Sequence, residues 1–362
     1  MKIEYIFAAF ALLAILDKLT GNHFGLGDEL EKGISTMGAL MLTMAGMIVL
    51  SPVLSAGLSA ICAPALRAIG MDGAVLAGFF PNDAGGALIA LELSEDAMMR
   101  GYHGMIVASM FGVMLCMLPL TLKLVSPAHR EDTLLGLLCG LATMPIGCLV
   151  GGLILGIAPL SLLWNTAPII LLSLLICLGL WKAPRLIQRL LSGLGILLTA
   201  VIFFGLALGI LQSLCGLEPI RGIAPMTDVF PIIGNIALLL AGIFPMLSIL
   251  SKLLRQPLLR LGQRLALDET SMLGLVTSLA NAIPMYTMTK DMNRRGRVIN
   301  VAFAVSAGYT IGDHLAYSLA FDAEHLTSYT TAMVVSKLIS GLCAVFLAAL
   351  LCRAPQSNKQ SA

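Results

Sequence analysis

The chain has 362 residues, of which 58% are hydrophobic and only 12% charged, with a mean hydropathy of +0.94. Soluble domains carry about twice that charged fraction, so the composition excludes a soluble protein with a single anchor and points to a helical chain that crosses the membrane many times. The net charge of +2, with no run of Lys and Arg interleaved with aromatics, excludes nucleic acid as a partner.

In chain order the apolar segments fall at about 3–20, 33–56, 73–92, 104–122, 134–157, 160–181, 193–214, 229–250, 270–289, 298–320 and 329–352, several of them longer than the ~18 residues that argue for a spanning helix. The first run, MKIEYIFAAFALLAIL, reads as a span and not a signal peptide, because no small-residue cleavage site follows it. The third is anomalous. Its centre, GFFPNDAGGALIA at 78–90, places Pro81, Asn82, Asp83, Gly85 and Gly86 inside an apolar stretch. Residues 353–362, RAPQSNKQSA, read as a short tail. Eight cysteines lie mostly in apolar segments and form no CxxC or Cys/His cluster, so neither a metal nor a cofactor is expected.

The chain repeats itself. A shift of 196 aligns Gly38 with Gly234, Ala45-Gly46 with Ala241-Gly242, Leu54-Ser55 with Leu250-Ser251, Asp72 with Asp268 and Gly78 with Gly274. After a one-residue slip, Asp96 meets Asp291 and Arg100-Gly101 meets Arg295-Gly296. A shared register across so many positions indicates duplication, a common building plan of secondary transporters. The chain therefore reads as one transmembrane domain over 1–352, with repeat one over about 1–157, a linking span at 160–181 and repeat two over about 193–352.

Basic residues set the orientation. Stretches 182–192 (Lys182, Arg185, Arg189), 251–268 (Lys252, Arg255, Arg260, Arg264) and 290–297 (Lys290, Arg294, Arg295, Arg297) all read as cytoplasmic loops. A simple crossing at 270–289 would put one of the last two outside. The expectation is that 270–289 dips in and returns, broken around SLANAIPMY, and that 73–92 does the same at PNDAGG. An arm of ~10 residues spans ~15 Å, half of a ~30 Å hydrocarbon core. Pro81, Gly85, Gly86 and Pro284 then mark the hairpin tips, and irregular backbone at that depth is tolerated where it is buried in protein or lines a wet cavity. The expected fold is an all-α polytopic membrane protein with inverted repeats, about nine spans and two re-entrant hairpins. The N-terminus is outside, the C-terminus is cytoplasmic, and the acidic loop with Asp322 and Glu324 is outside. The alternative is eleven plain spans with parallel repeats.

Ionisable groups inside apolar segments cost about 2.5–3.5 kcal/mol each on insertion scales, so they read as functional. Asp83 is the first, as a substrate ligand or as an N-cap of the second arm. The second group is SAGYTIGDHLAYS, 306–318, where Ser306, Tyr309, Thr310, Asp313 and Tyr317 would form one polar stripe on a continuous helix, with His314 beside it. Asn281 and Tyr286 mark the second tip, either as ligands or as partners of broken backbone. Asn82 offers an amide at the first. Glu92, Asp17 and Lys18 read as interfacial, and the 20 methionines as core filler.

The Asp-x-Gly-Gly at Asp83–Gly86, GDHLAYS at 312–318 and the opening GLGDELEKGISTMGAL at 25–40 resemble the ethanolamine permease family of bacterial ethanolamine-utilisation operons (EutH-type). The resemblance runs over nearly the whole chain. It implies a bacterial inner-membrane protein that brings ethanolamine into the cell. The residues themselves suit such a substrate. An ammonium asks for a carboxylate (Asp83 being favoured over Asp313), exposed carbonyls near Phe79–Pro81, or an aromatic face such as Tyr309 or Tyr286. A hydroxyl asks for an amide or hydroxyl such as Asn82, Asn281 or Thr310. Partners are then a small-molecule substrate and the lipid bilayer. Oligomeric state is left open by the sequence. The rival readings are a transporter of another small amine or amino acid, an integral-membrane enzyme, and a channel.

Overall fold

A computed structural model describes residues 3–321 and 326–352. Among these residues all regular structure is helical. Helix α1 (Ile3–Leu19) and α2 (Leu26–Ile61) lead into a short helical turn, Ala63–Ala68. The first broken segment follows, with a 3-10 arm Gly73–Phe79, a distorted tip Asn82–Gly86 and α3 (Ala87–Leu93). Then come α4 (Ala97–Leu124), wound as a wide π-helix over Tyr102–Gly112, α5 (Arg130–Ile154), α6 (Pro159–Lys182), α7 (Pro184–Cys215) and α8 (Met226–Leu265). The second broken segment holds α9 (Glu269–Ala280) and α10 (Ala282–Met288). Helices α11 (Arg294–Ala307), α12 (Asp313–Phe321) and α13 (Leu326–Leu351) complete the chain. Among the described residues seven helical stretches are long and apolar enough to cross a membrane, so this is a multi-pass membrane protein.

Each broken segment closes on itself. The Asp72 carboxylate caps the first arm, accepting from the Ala74 amide at 2.7 Å, while its other oxygen accepts from Ser94 Oγ at 2.7 Å. The first segment thus ends where it began, and a Cβ on Gly73 would lie 2.5 Å from the Leu93 carbonyl oxygen. Asp268 makes the same clasp on the second segment. One oxygen accepts from the Ser271 amide at 2.7 Å and the other from the Asn293 amide. A straight crossing of ~20 residues would separate the ends by ~30 Å. Asp72 and Asp268 are also the pair that the 196-residue shift aligns. Each holds an N-terminal cap and a closing bond, so Asp72→Ala and Asp268→Ala are each expected to lower stability by roughly 1–2 kcal/mol, read as a drop in the thermal unfolding temperature of the purified protein.

Bonds between loops define two faces. On one, Lys252 Nζ donates to the Phe24 carbonyl at 2.8 Å, Asp132 holds Arg294 at 3.1 Å and Arg297 at 3.0 Å, and Arg295 reaches the carbonyls of Leu265 and Ala349. On the other, Trp164 Nε1 donates to the Ile69 carbonyl at 2.9 Å and the Tyr329 hydroxyl to that of Ala97 at 2.7 Å. Lys and Arg crowd the first face. Among the described residues the second carries Arg67, Arg100 and Arg221. The hairpin mouths lie on opposite faces, Asp72/Ser94 on the second and Asp268/Asn293 on the first.

Three sequence expectations need correction. The basic stretch 251–268 is mostly a continuation of α8 as far as Leu265, and 182–192 holds the ends of α6 and α7. Both are charged helix ends and not open loops, because Lys and Arg stems extend a helix beyond the apolar zone without penalty. The segment 298–320 is not one helix. It stops at Ala307 and resumes at Asp313, so Ser306, Tyr309, Thr310, Asp313 and Tyr317 do not form a single helical stripe. The acidic pair Asp322 and Glu324 and the tail 353–362 lie outside the described residues.

The helices gather into two packed groups. One core joins α1, α2, α7 and α8 with residues such as Phe7, Ile48, Leu208, Ile236 and Leu240. The other joins α4, α5, α6, the second broken segment, α11 and α13 through Phe111, Leu141, Ile169, Met285 and Met333. The first tip packs against α4 and is met by Met47 of α2.

Candidate functional site

Three interruptions of helix meet one space. At the first tip Pro81 has no N–H to give and its carbonyl accepts from the Ala84 amide at 3.1 Å and the Gly86 amide at 2.8 Å. Gly85 sits at φ 103°, open to glycine and strained for other residues. This turn points Asp83 outward from the tip. At the second tip Asn281 is extended and its side chain accepts from the Ile283 amide at 2.9 Å, capping α10. Between α11 and α12, Tyr309 takes φ 63°, a left-handed backbone rare for an aromatic residue.

The broken backbone is satisfied by its neighbours. The amides of Tyr309 and Ile311 donate to the carbonyls of Ser278 and Leu279, the last turn of α9, at 2.8 and 2.9 Å. Such pairing lets non-helical backbone persist in an apolar environment. It also ties the α11–α12 break to the second hairpin. A matching close approach joins each hairpin to its following span. A Cβ on Gly112 would stand 2.0 Å from the Phe80 carbonyl oxygen, and one on Gly312 2.0 Å from that of Ala280.

A cavity of about 910 Å³ lies between the two helix groups. Pro81, Asp83 and Asn281 line it from the broken segments, Tyr309 from the α11–α12 break, Asp313 and His314 from the start of α12, and Thr36 and Thr43 of α2, Thr199 of α7 and Phe244 of α8 from the remaining wall. Its rim includes Lys32 and Lys123, both exposed on the basic face. The half-buried carboxylates of Asp83 and Asp313 are within electrostatic range of each other. The Tyr309 ring lies 5.3 Å from the His314 ring, and its hydroxyl meets Met117 Sδ at 3.6 Å.

The other expected residues lie elsewhere. Asn82 is fully buried behind the tip, with neither amide atom hydrogen-bonded among the described residues. Thr310 is buried and returns its hydroxyl to the Ala307 carbonyl at 2.7 Å. Tyr286 lines a small neighbouring space with Thr121 and Tyr309. Pro284 is exposed, and a Cβ on Gly86 would lie 2.8 Å from the Phe80 carbonyl oxygen and 3.0 Å from Ala108 Cβ. Sequence reasoning missed Lys337. It is 1% exposed in the middle of α13, and its Nζ donates to the Ser109 carbonyl at 2.7 Å. The signal was present in the sequence, since a lone lysine in an apolar span is expensive.

The family model described as "Ethanolamine utilisation protein, EutH" matches residues 2–351. The chain is 40% identical over 347 residues to the probable ethanolamine permease EutH of Listeria monocytogenes serotype 1/2a, covering 95% of this chain and 91% of that protein. It is 33% identical over 392 residues to the probable ethanolamine permease EutH of Escherichia coli K12, covering 96% and 94%. It is also 36% identical over 360 residues to the uncharacterized protein YxeR of Bacillus subtilis 168, covering 99% and 96%. No solved structure matches the chain.

Proposed function

The chain belongs to the EutH family of ethanolamine utilisation proteins, and from that premise we propose that it is a permease that imports ethanolamine across the bacterial inner membrane. The observation that carries the reading is the convergence of two hairpin tips and a third helix break on one cavity bearing Asp83, Asp313 and Tyr309. Ethanolamine is a small monocation with one hydroxyl. Asp83 supplies a charge-assisted bond to the ammonium, Tyr309 an aromatic face beside it, and Asn281 or Thr43 a polar partner for the hydroxyl.

The topology that suits this role has nine crossings: α1, α2, α4, α5, α6, α7, α8, the α11–α12 pair and α13. The two hairpins enter from opposite sides. Repeat one contributes α1, α2, the first hairpin, α4 and α5; repeat two contributes α7, α8, the second hairpin, α11–α12 and α13. With α6 between them the repeats are inverted. The crowding of Lys and Arg on the face that carries the second hairpin mouth supports a cytoplasmic location for it, with the N-terminus outside and the C-terminus inside. The site then opens to the cytoplasm in this conformation, from which substrate is released, and a shift of the hairpin-bearing group against α1, α2, α7 and α8 returns the empty site to the outside.

An enzyme is disfavoured. Asp313 and His314 are neighbours on α12 and diverge by ~100°, a poor acid–base pair. A single cysteine at exposed Lys290, in a cysteine-free background, is expected to resist an impermeant thiol reagent in intact cells, whereas one at exposed Glu95 is expected to react. Labelling of both, or the reverse pattern, rejects the inverted arrangement. Calorimetry on the purified protein tests the substrate itself. Heat is expected on titration with ethanolamine and none with a zwitterionic amino acid such as serine, whose carboxylate would face Asp83 and Asp313.

A further inference from the structure

We propose that Lys337 is the fixed counter-charge of the binding site, so that Asp83, Asp313 and Lys337 together leave a vacancy for one positive charge, and that this count selects a monoamine over a diamine. The inference rests on the reading of the cavity as a cation site. Lys337 does not line the cavity. It is buried behind it, bonded to the Ser109 carbonyl of the π-wound stretch of α4, the same stretch on which the first tip packs so closely that a Cβ on Gly86 would lie 3.0 Å from Ala108 Cβ and one on Gly112 2.0 Å from the Phe80 carbonyl oxygen. Its ammonium is within electrostatic range of Asp83, and Asp83 is within range of Asp313. Asp83 is thus within electrostatic range of both a buried lysine and a second acid.

The other titratable side chains around this group are Tyr309, Tyr317 and His314, Cys116 and Tyr102 of α4, and Cys148 of α5. Taken with neutral tyrosines, histidine and cysteines, the formal charge of the empty site is −1, and one bound ammonium brings it to zero. In a low-dielectric interior an uncompensated charge is strongly disfavoured. A dication would leave the loaded site at +1. A lysine bound to a backbone carbonyl without a carboxylate partner in contact is an expensive structural choice, and charge selection gives that choice a function.

The test is competition of 1,4-diaminobutane against labelled ethanolamine on purified protein. Wild type is expected to prefer ethanolamine. Lys337→Met creates a vacancy for two charges, and the affinity ratio is expected to move toward the diamine by at least about tenfold. Adding Asp313→Asn restores the count of one, and the double variant is expected to return to monoamine preference and to bind ethanolamine more tightly than Asp313→Asn alone. A purely structural lysine would lower both affinities together. An unchanged ratio in Lys337→Met overturns the assignment. If Lys337→Met does not reach the membrane, the charge-balanced double variant is still required to fold and bind, and its failure overturns the assignment too. Absence of ethanolamine binding in wild type overturns the substrate reading and the one-charge count with it; binding in wild type with an unchanged ratio overturns Lys337 alone.

Discussion

Gly312→Ala is expected to reduce ethanolamine uptake to below about one-tenth of wild type, a change of ~1.4 kcal/mol or more in the functional equilibrium. A methyl group there would stand 2.0 Å from the Ala280 carbonyl oxygen, which belongs to backbone and cannot swing aside. The second hairpin would have to move away from the α11–α12 break. That displacement would stretch the bonds from Tyr309 and Ile311 to Ser278 and Leu279. Overpacking of a tight site typically costs about 1–3 kcal/mol, enough to distort the cavity wall without unfolding the chain. Gly112→Ala, facing the Phe80 carbonyl, is the matching variant on the first hairpin and is expected to behave alike. Uptake per unit of membrane-inserted protein is the measurement. Normal transport by either variant would show that the close approach of its hairpin and span is not needed.

Asp83→Asn is expected to lower ethanolamine affinity by at least about tenfold, or ~1.4 kcal/mol, as loss of a charge-assisted hydrogen bond requires. The substitution keeps the shape of the side chain and its capacity to cap, so the tip should hold. Asp313→Asn removes a charge at longer range from the ammonium and is expected to cost less affinity. Asp313 also begins α12, where an acid is favourable at a helix N-terminus, so its loss should weigh partly on stability. Binding by calorimetry on both purified variants separates the two acids. Unchanged affinity in Asp83→Asn with lost affinity in Asp313→Asn would exchange their roles.

The closed form of the broken segments was legible where charge and hydropathy disagreed. Basic residues flank 270–289 on both sides, and a simple crossing could not place both groups on one face. Asp72 and Asp268, which a shift of 196 aligns, each close one of these segments on itself. The break at 308–312 was not legible. Gly308 and Gly312 stand four residues apart, a spacing that a continuous membrane helix tolerates, and the break depends on carbonyls of Ser278 and Leu279 supplied from elsewhere in the chain. No local pattern encodes a partner thirty residues away. The acids and aromatics of the site were visible because ionisable groups stand out in apolar runs, whereas the inward burial of Asn82 and Thr310 follows from the turns around them. Lys337 was legible by the same rule that revealed Asp83, since it is the one charged residue in the apolar stretch 329–351.

The central claim is that this protein carries ethanolamine through a site at Asp83, and uptake of labelled ethanolamine into proteoliposomes tests it most directly. Wild-type protein is expected to load the vesicles well above protein-free liposomes, with excess unlabelled ethanolamine abolishing the signal, while Asp83→Asn reconstituted at equal density requires far higher substrate for the same rate. Uptake by wild type no faster than by empty liposomes, or an Asp83→Asn variant with the wild-type concentration dependence, would contradict the account.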